Sequence, residues 1–304
     1  MADKNNKHLF GSGHTACAGC GQAIAARLAV DVAGANTIIA NNTGCLEVFS
    51  TAYPQSAWGV PWIHSLFENA AAVASGIEAG LKYLGIKDKI NVIAQAGDGG
   101  TADIGLQALS GMWERGHDIL YICYDNEAYM NTGVQRSGLT PFESATSTTP
   151  IGSQSVGNPR PKKPMPEIAV AHGVVYVATA STGYPRDIQS KVKKALSLKG
   201  PKYIQIHVPC PLGWRHDPQI TYDIGKLAVE TGLYPLIEYE NGKLTNVRKL
   251  TAVKPVEDYL KFQGRFKHIM SSPELIKQIQ AVADYNIAKY GLRAETVKTA
   301  PPQP

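Results

Sequence analysis

The sequence has 304 residues, 44% of them hydrophobic and 18% charged, with a formal net charge of +5; this is an ordinary globular composition, enough for one large α/β core plus an extension. It holds no Lys/Arg-rich run or basic–aromatic interleaving, so no nucleic-acid partner is expected, and no apolar run nears the roughly 20 residues that span a bilayer. The polar start, Met1 to Lys7, lacks a signal-peptide core, so a cytoplasmic protein is expected, and in that reducing setting five cysteines point to metal ligation more than to cross-links.

A glycine-rich cysteine knuckle, His14 to Gly21 with Cys17-x-x-Cys20, runs into a helical stretch, 22–32, that puts Ile24, Leu28 and Val32 on one side. Residues 37–40 read as a short strand ending at Asn41-Asn42-Thr43-Gly44-Cys45. Residues 53–62 mix proline, aromatic and polar side chains and read as a loop over the sheet edge. The Ala-rich stretch 66–84 predicts a long buried helix in which Gly76 and Gly80 permit close packing. The apolar run 90–94 predicts a buried parallel strand that ends in Gln95-Ala96-Gly97-Asp98-Gly99-Gly100. An amphipathic pattern follows, with Ile104, Leu106, Leu109, Met112 and Trp113 among its apolar positions, and then a second buried strand, 119–123.

Strand, glycine turn, helix and strand make one βαβ unit. It puts Asp98 and Asn126 at the carboxyl ends of two strands, where open α/β sheets bind ligands. The glycines let backbone approach an anion, and the helix start offers unpaired N–H groups to it. Asp98 and Asn126 are hard oxygen donors of the kind that hold magnesium together with substrate phosphates, so the stretch predicts a magnesium–diphosphate site. The competing reading is a tight turn at Gly97-Asp98-Gly99 and a helix cap at Asn126.

From 137 to 166 the chain is rich in Ser, Thr, Pro and Gly with little apolar periodicity, and reads as a lid or partner-docking arm. Regular structure resumes with a helix at 168–172, a strand at 174–178, a helix at 185–198 with proline in its first turn, and a strand at 203–208 leading into Pro209-Cys210-Pro211. This alternation predicts an α/β fold over residues 1–212, a doubly wound, mostly parallel sheet. Residues 213–304 form a C-terminal extension: irregular over 214–222, a short hairpin within 235–247, a final helix from 273 to 289, and a frayed tail at 299–304. Too small for a core of its own, it is expected to pack on a neighbouring subunit. Cys17, Cys20, Cys45 and Cys210 can converge on one sheet edge, and four thiolates fit either zinc or a [4Fe–4S] cluster. Cys123, inside an apolar strand, reads as an inert core residue.

Gly-Asp-Gly followed by Asn one βα unit later resembles the thiamin diphosphate motif. Residues 126–138, Gly44-Cys45-Leu46-Glu47-Val48 and Pro61 to Ala70 resemble the thiamin-binding β subunit of the 2-oxoacid:ferredoxin oxidoreductases, especially pyruvate synthase, and the likeness spans roughly 13–210. It implies the thiamin diphosphate-binding fold, with Mg2+ on Asp98, Asn126 and the Ala128 carbonyl; the family often has Thr where Asn126 stands. It places Gly97, Gly99, Gly100 and Thr132 at the diphosphate, and Gly44, Cys45 and His64 beside the cofactor. Asn131 is implied as the catalytic hydrogen-bond donor facing the reacting carbon, and Cys17, Cys20, Cys45 and Cys210 as the ligands of a [4Fe–4S] cluster. The implied reaction is oxidative decarboxylation of a 2-oxo acid, pyruvate first, with electrons passing through the cluster to ferredoxin and the acyl group to coenzyme A. Oxalate, branched-chain or aryl 2-oxo acids are alternatives, as is a non-redox decarboxylase or synthase subunit with structural zinc. The Glu that activates the aminopyrimidine normally comes from a second domain, which no segment here supplies. An α subunit is therefore implied as its source, with γ and ferredoxin-like δ subunits, or fused equivalents, completing the complex.

Overall fold

The computed structural model describes residues 8–294, so the first seven residues and the tail from 299 lie outside the described residues. The apolar runs become β1 (Thr37–Asn41), β2 (Trp62–His64), β3 (Asn91–Gly97) and β4 (Leu120–Asp125). A small hairpin of β5 (Ile151–Gly152) and β6 (Ser155–Val156) follows, then β7 (Tyr176–Ser181), β8 (Lys202–His207), β9 (Ile237–Glu240) and β10 (Lys243–Val247). Eight of these form one sheet in the order β10-β9-β7-β8-β4-β3-β1-β2. The six from β7 to β2 run parallel, and β9 pairs antiparallel with both β7 and β10. Every residue of β4, β7 and β8 is buried, which is why these strands read as continuous rather than alternating apolar runs.

Helices cover both faces, as a doubly wound sheet requires. On one face α1 (Gly21–Ala33) lies beside the later helix Pro185–Ser197, and Ala25, Ala29, Val30, Ile188 and Val192 pack on Ile93, Ile122, Ile204 and Ile206. After the short α2 (Cys45–Ser50), α3 (Ala70–Tyr83), α4 (Asp98–Ala102) and α5 (Leu106–Glu114) follow in the chain. Ala74, Leu81, Leu109, Met112 and Trp113 close the other face over Val92, Ala94, Tyr121 and Tyr203. The remaining helices are α6 (Met165–Ala171), α7 (Pro185–Ser197), α8 (Pro211–Trp214), α9 (Thr221–Glu230), α10 (Glu257–Leu260) and α11 (Pro273–Tyr290). Cys123 is a fully buried core residue.

Several local expectations change. The loop over the sheet edge ends in the edge strand β2. Helix α3 begins at Ala70 and buries one face only: Gly76 and Gly80 are exposed, with open space where a Cβ would stand, so close packing is not their role. The helix after the glycine turn breaks into α4 and α5 at Asp103, which leaves helical geometry with φ −117° and ψ −92°; at Gly105 just beyond, a Cβ would meet the Gly100 carbonyl oxygen at 2.1 Å. The arm from 137 to 166 has little regular structure, yet it is fastened down. Ser137, Leu139, Thr140 and Asn158 are fully buried, and the Asn158 amide donates to the carbonyls of Thr140 and Arg160 at 2.8 Å each. The extension has a core of its own, contrary to expectation: Trp214, Ile224, Val256, Phe266, Ile269 and Ala283 are buried in one cluster. Apart from α11, which buries Ile279, Ala283 and Ile287, short pieces scatter these apolar residues without a sustained period, which hid the core in the sequence.

Two glycine substitutions separate packing from propensity. At Gly21 a Cβ would meet the Pro209 carbonyl oxygen at 2.7 Å and the Val208 carbonyl carbon at 2.9 Å. Gly21→Ala is therefore expected to lower unfolding stability by about 1–3 kcal/mol. Gly76→Ala, exposed in mid-helix, is expected to raise it by about 0.5–1 kcal/mol. Denaturant melts of both variants check the opposite signs.

Candidate active site

Four adjacent strands, β8, β4, β3 and β1, deliver Cys210, Asn126, Asp98 and Cys45 just beyond their carboxyl ends. Asp98, Asn126 and Cys45 border one cleft, together with Gly44, Gly97, Gly99, Gly100, Ala128, Asn131 and Thr132. His64 does not line it. It stands exposed at the end of β2 with Nε2 2.8 Å from the Thr43 hydroxyl, and Thr43 is the residue that reaches the cleft.

Asp98, Asn126 and Ala128, the residues expected to hold magnesium, come together in the cleft. The Asn126 side-chain amide reaches both the Ala128 carbonyl oxygen and Asp98 Oδ1 at 2.8 Å. With its nitrogen toward them it donates to both; with its oxygen toward them three oxygens converge, an arrangement that a cation stabilises. Around Mg2+, with ligands at about 2.0–2.1 Å, neighbouring octahedral oxygens lie about 2.9 Å apart, so the spacing already suits the ion. Asp98 Oδ2 accepts a short hydrogen bond from the Ser137 hydroxyl. Burial, and then the Asp125 carboxylate, push Asp98 well above its ordinary value. A divalent cation would supply the charge that holds it ionised.

The glycines divide into two kinds. Gly44 and Gly97 border the cleft with open space where their Cβ atoms would be. At Gly99 and Gly100 that space is taken by the chain itself: a Cβ would strike the Tyr129 ring at 2.3 Å and Asn42 Nδ2 at 1.7 Å. Tyr129 then donates to the Gly99 carbonyl at 3.1 Å and Asn42 to the Phe67 carbonyl at 3.0 Å. These two glycines seat side chains of the cleft wall as well as exposing backbone. Asn131 is exposed at the cleft and caps no helix.

The cysteines gather beside this cleft. Gly21 N–H donates to the Pro209 carbonyl at 3.1 Å and the Thr221 hydroxyl to the Gly19 carbonyl at 2.7 Å, which ties the knuckle to the segments on either side of Cys210. Cys20 and Cys210 occupy the N-caps of α1 and α8, and Cys45 opens α2. Burial pushes Cys45 up to about 12, and the nearby Cys210, Cys20 and Cys17 add to it; burial likewise lifts Cys210 to about 11. Thiols that disfavour one another's ionisation are stabilised as thiolates only by a cationic centre among them. Among the described residues no three His, Cys, Asp or Glu side chains form a group that could hold a metal ion as they stand.

A family model for the C-terminal TPP-binding domain of thiamine pyrophosphate enzymes matches residues 42–206. Pyruvate synthase subunit PorB of Methanosarcina barkeri is 59% identical over 296 residues, covering 96% of this chain and 100% of that protein. PorB of Methanocaldococcus jannaschii is 58% identical, covering 94% and 97%. The chain belongs to the pyruvate synthase β-subunit family of 2-oxoacid:ferredoxin oxidoreductases. Ketoisovalerate oxidoreductase subunit VorB of Pyrococcus abyssi is 49% identical, covering 86% of each chain. The solved 2-oxoglutarate:ferredoxin oxidoreductase of Magnetococcus marinus shares the fold, with a TM-score of 0.57 and 23% identity over 74% of this chain and 82% of that one.

In this β subunit the sequence reading missed a layer of charge behind the loop that carries Asn126 and Ala128. Asp125 and Glu127 flank Asn126 and are buried; Lys162 bridges them at 2.8 and 2.7 Å, and Arg265 meets Glu127 at 2.5 Å. Burial opposes the Glu127 charge, but Lys162 and Arg265 outweigh it and hold the carboxyl down to about 2. Two acids bracketing Asn126 at the end of an apolar strand were the available signal. Their cations lie 35 and 138 residues away.

An acid with a raised folded pKa binds its proton more tightly when folded. In the metal-free chain Asp98 therefore costs stability as pH rises from 3.8 through its raised folded value. Metal-free Asp98→Asn is expected to melt at a higher temperature than the metal-free parent at neutral pH. Mg2+ with thiamin diphosphate should raise the melting temperature of the parent and leave that of the variant unchanged, as differential scanning calorimetry would show.

Proposed function

We propose that this chain is the thiamin diphosphate- and Mg2+-binding catalytic subunit of a pyruvate:ferredoxin oxidoreductase, with a [4Fe–4S] cluster on Cys17, Cys20, Cys45 and Cys210. One observation carries the reading: Cys45 lines the same cleft as Asp98, Asn126 and Ala128, so a cluster ligand and the metal-facing oxygens share a wall. When bound, the cofactor supplies the electron sink for decarboxylation and the cluster accepts single electrons. The chain's own residues then have separate tasks. Asp98, the Asn126 side-chain oxygen and the Ala128 carbonyl hold the ion, and the backbone at Gly97, Gly99, Gly100 and Thr132 faces the diphosphate. Asn131 donates a hydrogen bond toward the reacting group. Pyruvate is favoured by the two PorB relatives, and the similarity to VorB keeps branched-chain 2-oxo acids as the alternative substrate class.

Asp98 is the one carboxylate among the described residues lining the cleft. This supports an α subunit as the source of the activating Glu. Val48, Leu66 and Leu212, exposed in segments bordering the cleft and the cysteines, offer an apolar rim for such a partner to cover. Ferredoxin as electron acceptor, coenzyme A as acyl acceptor, and γ and δ subunits or fused equivalents complete the proposal. No helix of the described residues is long and apolar enough to cross a membrane.

The test is anaerobic co-purification with partner subunits, followed by assay of pyruvate and ketoisovalerate with a low-potential acceptor, with and without coenzyme A. Coenzyme A-dependent reduction on pyruvate and a brown chromophore are expected. A colourless zinc protein that decarboxylates without reducing the acceptor would overturn the redox role. In Cys45→Ser, acceptor reduction should fall by at least about tenfold more than carbon dioxide release. Equal loss of both would remove Cys45 from the electron path.

A further inference from the structure

Asn126 and Ala128 aim at one point because the residue between them turns the backbone back. Glu127 has φ 69°, in the left-handed region that L side chains rarely adopt and that glycine takes without strain. Its side chain is 4% exposed and lies outside the cofactor cleft, so the use of a glutamate there must come from its carboxylate. Lys162 of the arm holds one carboxylate oxygen at 2.7 Å; Arg265 of the C-terminal extension holds the other at 2.5 Å. The backbone is tied from the same two segments. The Thr140 hydroxyl donates to the Glu127 carbonyl at 2.8 Å, and Trp214 Nε1 donates to the Asn126 carbonyl at 2.8 Å. The Arg265 guanidinium carbon lies over the Trp214 ring, 3.7 Å from its centre, and its Nε donates to Gln263 Oε1 at 2.9 Å.

We propose that Arg265 is a positioning residue: with Lys162 it holds Glu127 in the left-handed turn and so sets the convergence of Asn126 and Ala128 on the metal. The inference rests on the magnesium–diphosphate reading above and gives the extension a task within its own chain. Arg265 touches no cleft-lining side chain by hydrogen bond; it acts through Glu127 and Trp214.

The test uses the complex purified with its partner subunits, with Mn2+ as a spectroscopic probe titrated by electron paramagnetic resonance in the presence of thiamin diphosphate. Arg265→Met should weaken Mn2+ binding by about 10–100-fold, the range in which supports behind a metal ligand act, with assembly unchanged on size exclusion. Arg265→Lys should recover only part of that loss, because the charge returns while the planar fork and its contact with the Trp214 ring do not. A purely structural role would lower the melting temperature of Arg265→Met and leave Mn2+ affinity as in the parent; that result overturns the proposal. If Arg265→Met does not assemble, Glu127→Gln/Arg265→Met removes both charges together and spares the cost of one left unpaired. It must show the same loss, and parental affinity in it overturns the proposal. A parent complex that takes up no Mn2+ with thiamin diphosphate overturns the magnesium reading and this inference with it.

Discussion

Asp98 is a fully buried carboxylate at the end of a strand, and among the described residues no cation touches it. Its contacts are the Ser137 hydroxyl and the Asn126 amide. Water would solvate such a charge cheaply; a protein interior does not. The surroundings are organised around that cost. Adjacent parallel strands β3 and β4 bring Asp98 and Asn126 together, a left-handed residue swings the Ala128 carbonyl to the same point, and Gly44 and Gly97 leave open space beside it. In the proposed reading a diphosphate-bound divalent ion would turn this from an electrostatic burden into a binding site.

The charges behind the loop are matched instead. Asp125 and Glu127 face Lys162 and Arg265, and His207, held neutral by burial with a value of about 3, fills the space between them and Tyr259. Buried pairs of this kind are weak sources of net stability, yet removing a single member is severe. They fix the loop more than they hold the fold together. Segments that follow the parallel sheet or interrupt it, the arm and the extension, supply every cation in this layer. The site is thus framed from behind by segments of the arm and the extension that lie outside the six parallel strands, although the extension adds the antiparallel β9 and β10 to the same sheet.

The sequence reading was strongest where local chemistry and period coincide. Gly97-Asp98-Gly99 after a buried strand, Asn126 after the next and cysteines near strand ends could all be placed, because parallel strands show as unbroken apolar runs and ligand residues cluster at their carboxyl ends. It was weaker at β2, three residues long, and at α3, where an Ala-rich helix looks buried all round although one face is in solvent. It failed for the core of the extension, most of whose apolar residues outside α11 come from short, irregular pieces. His64 was placed beside the cofactor by resemblance, and it lies one residue removed, behind Thr43.

What the sequence alone determined was the alternation of strands and helices and the identity of the oxygen and sulfur donors at their junctions, since both are encoded within a few residues of one another. What only the tertiary structure decided was which donors meet. The 2.8 Å approach of Asn126 to Asp98 and Ala128, the shared wall with Cys45 and the grip of Arg265 on Glu127 across 138 residues depend on strand order and on where a returning chain lands. Local propensity carries no record of such distances, because they are set by packing the whole sheet at once.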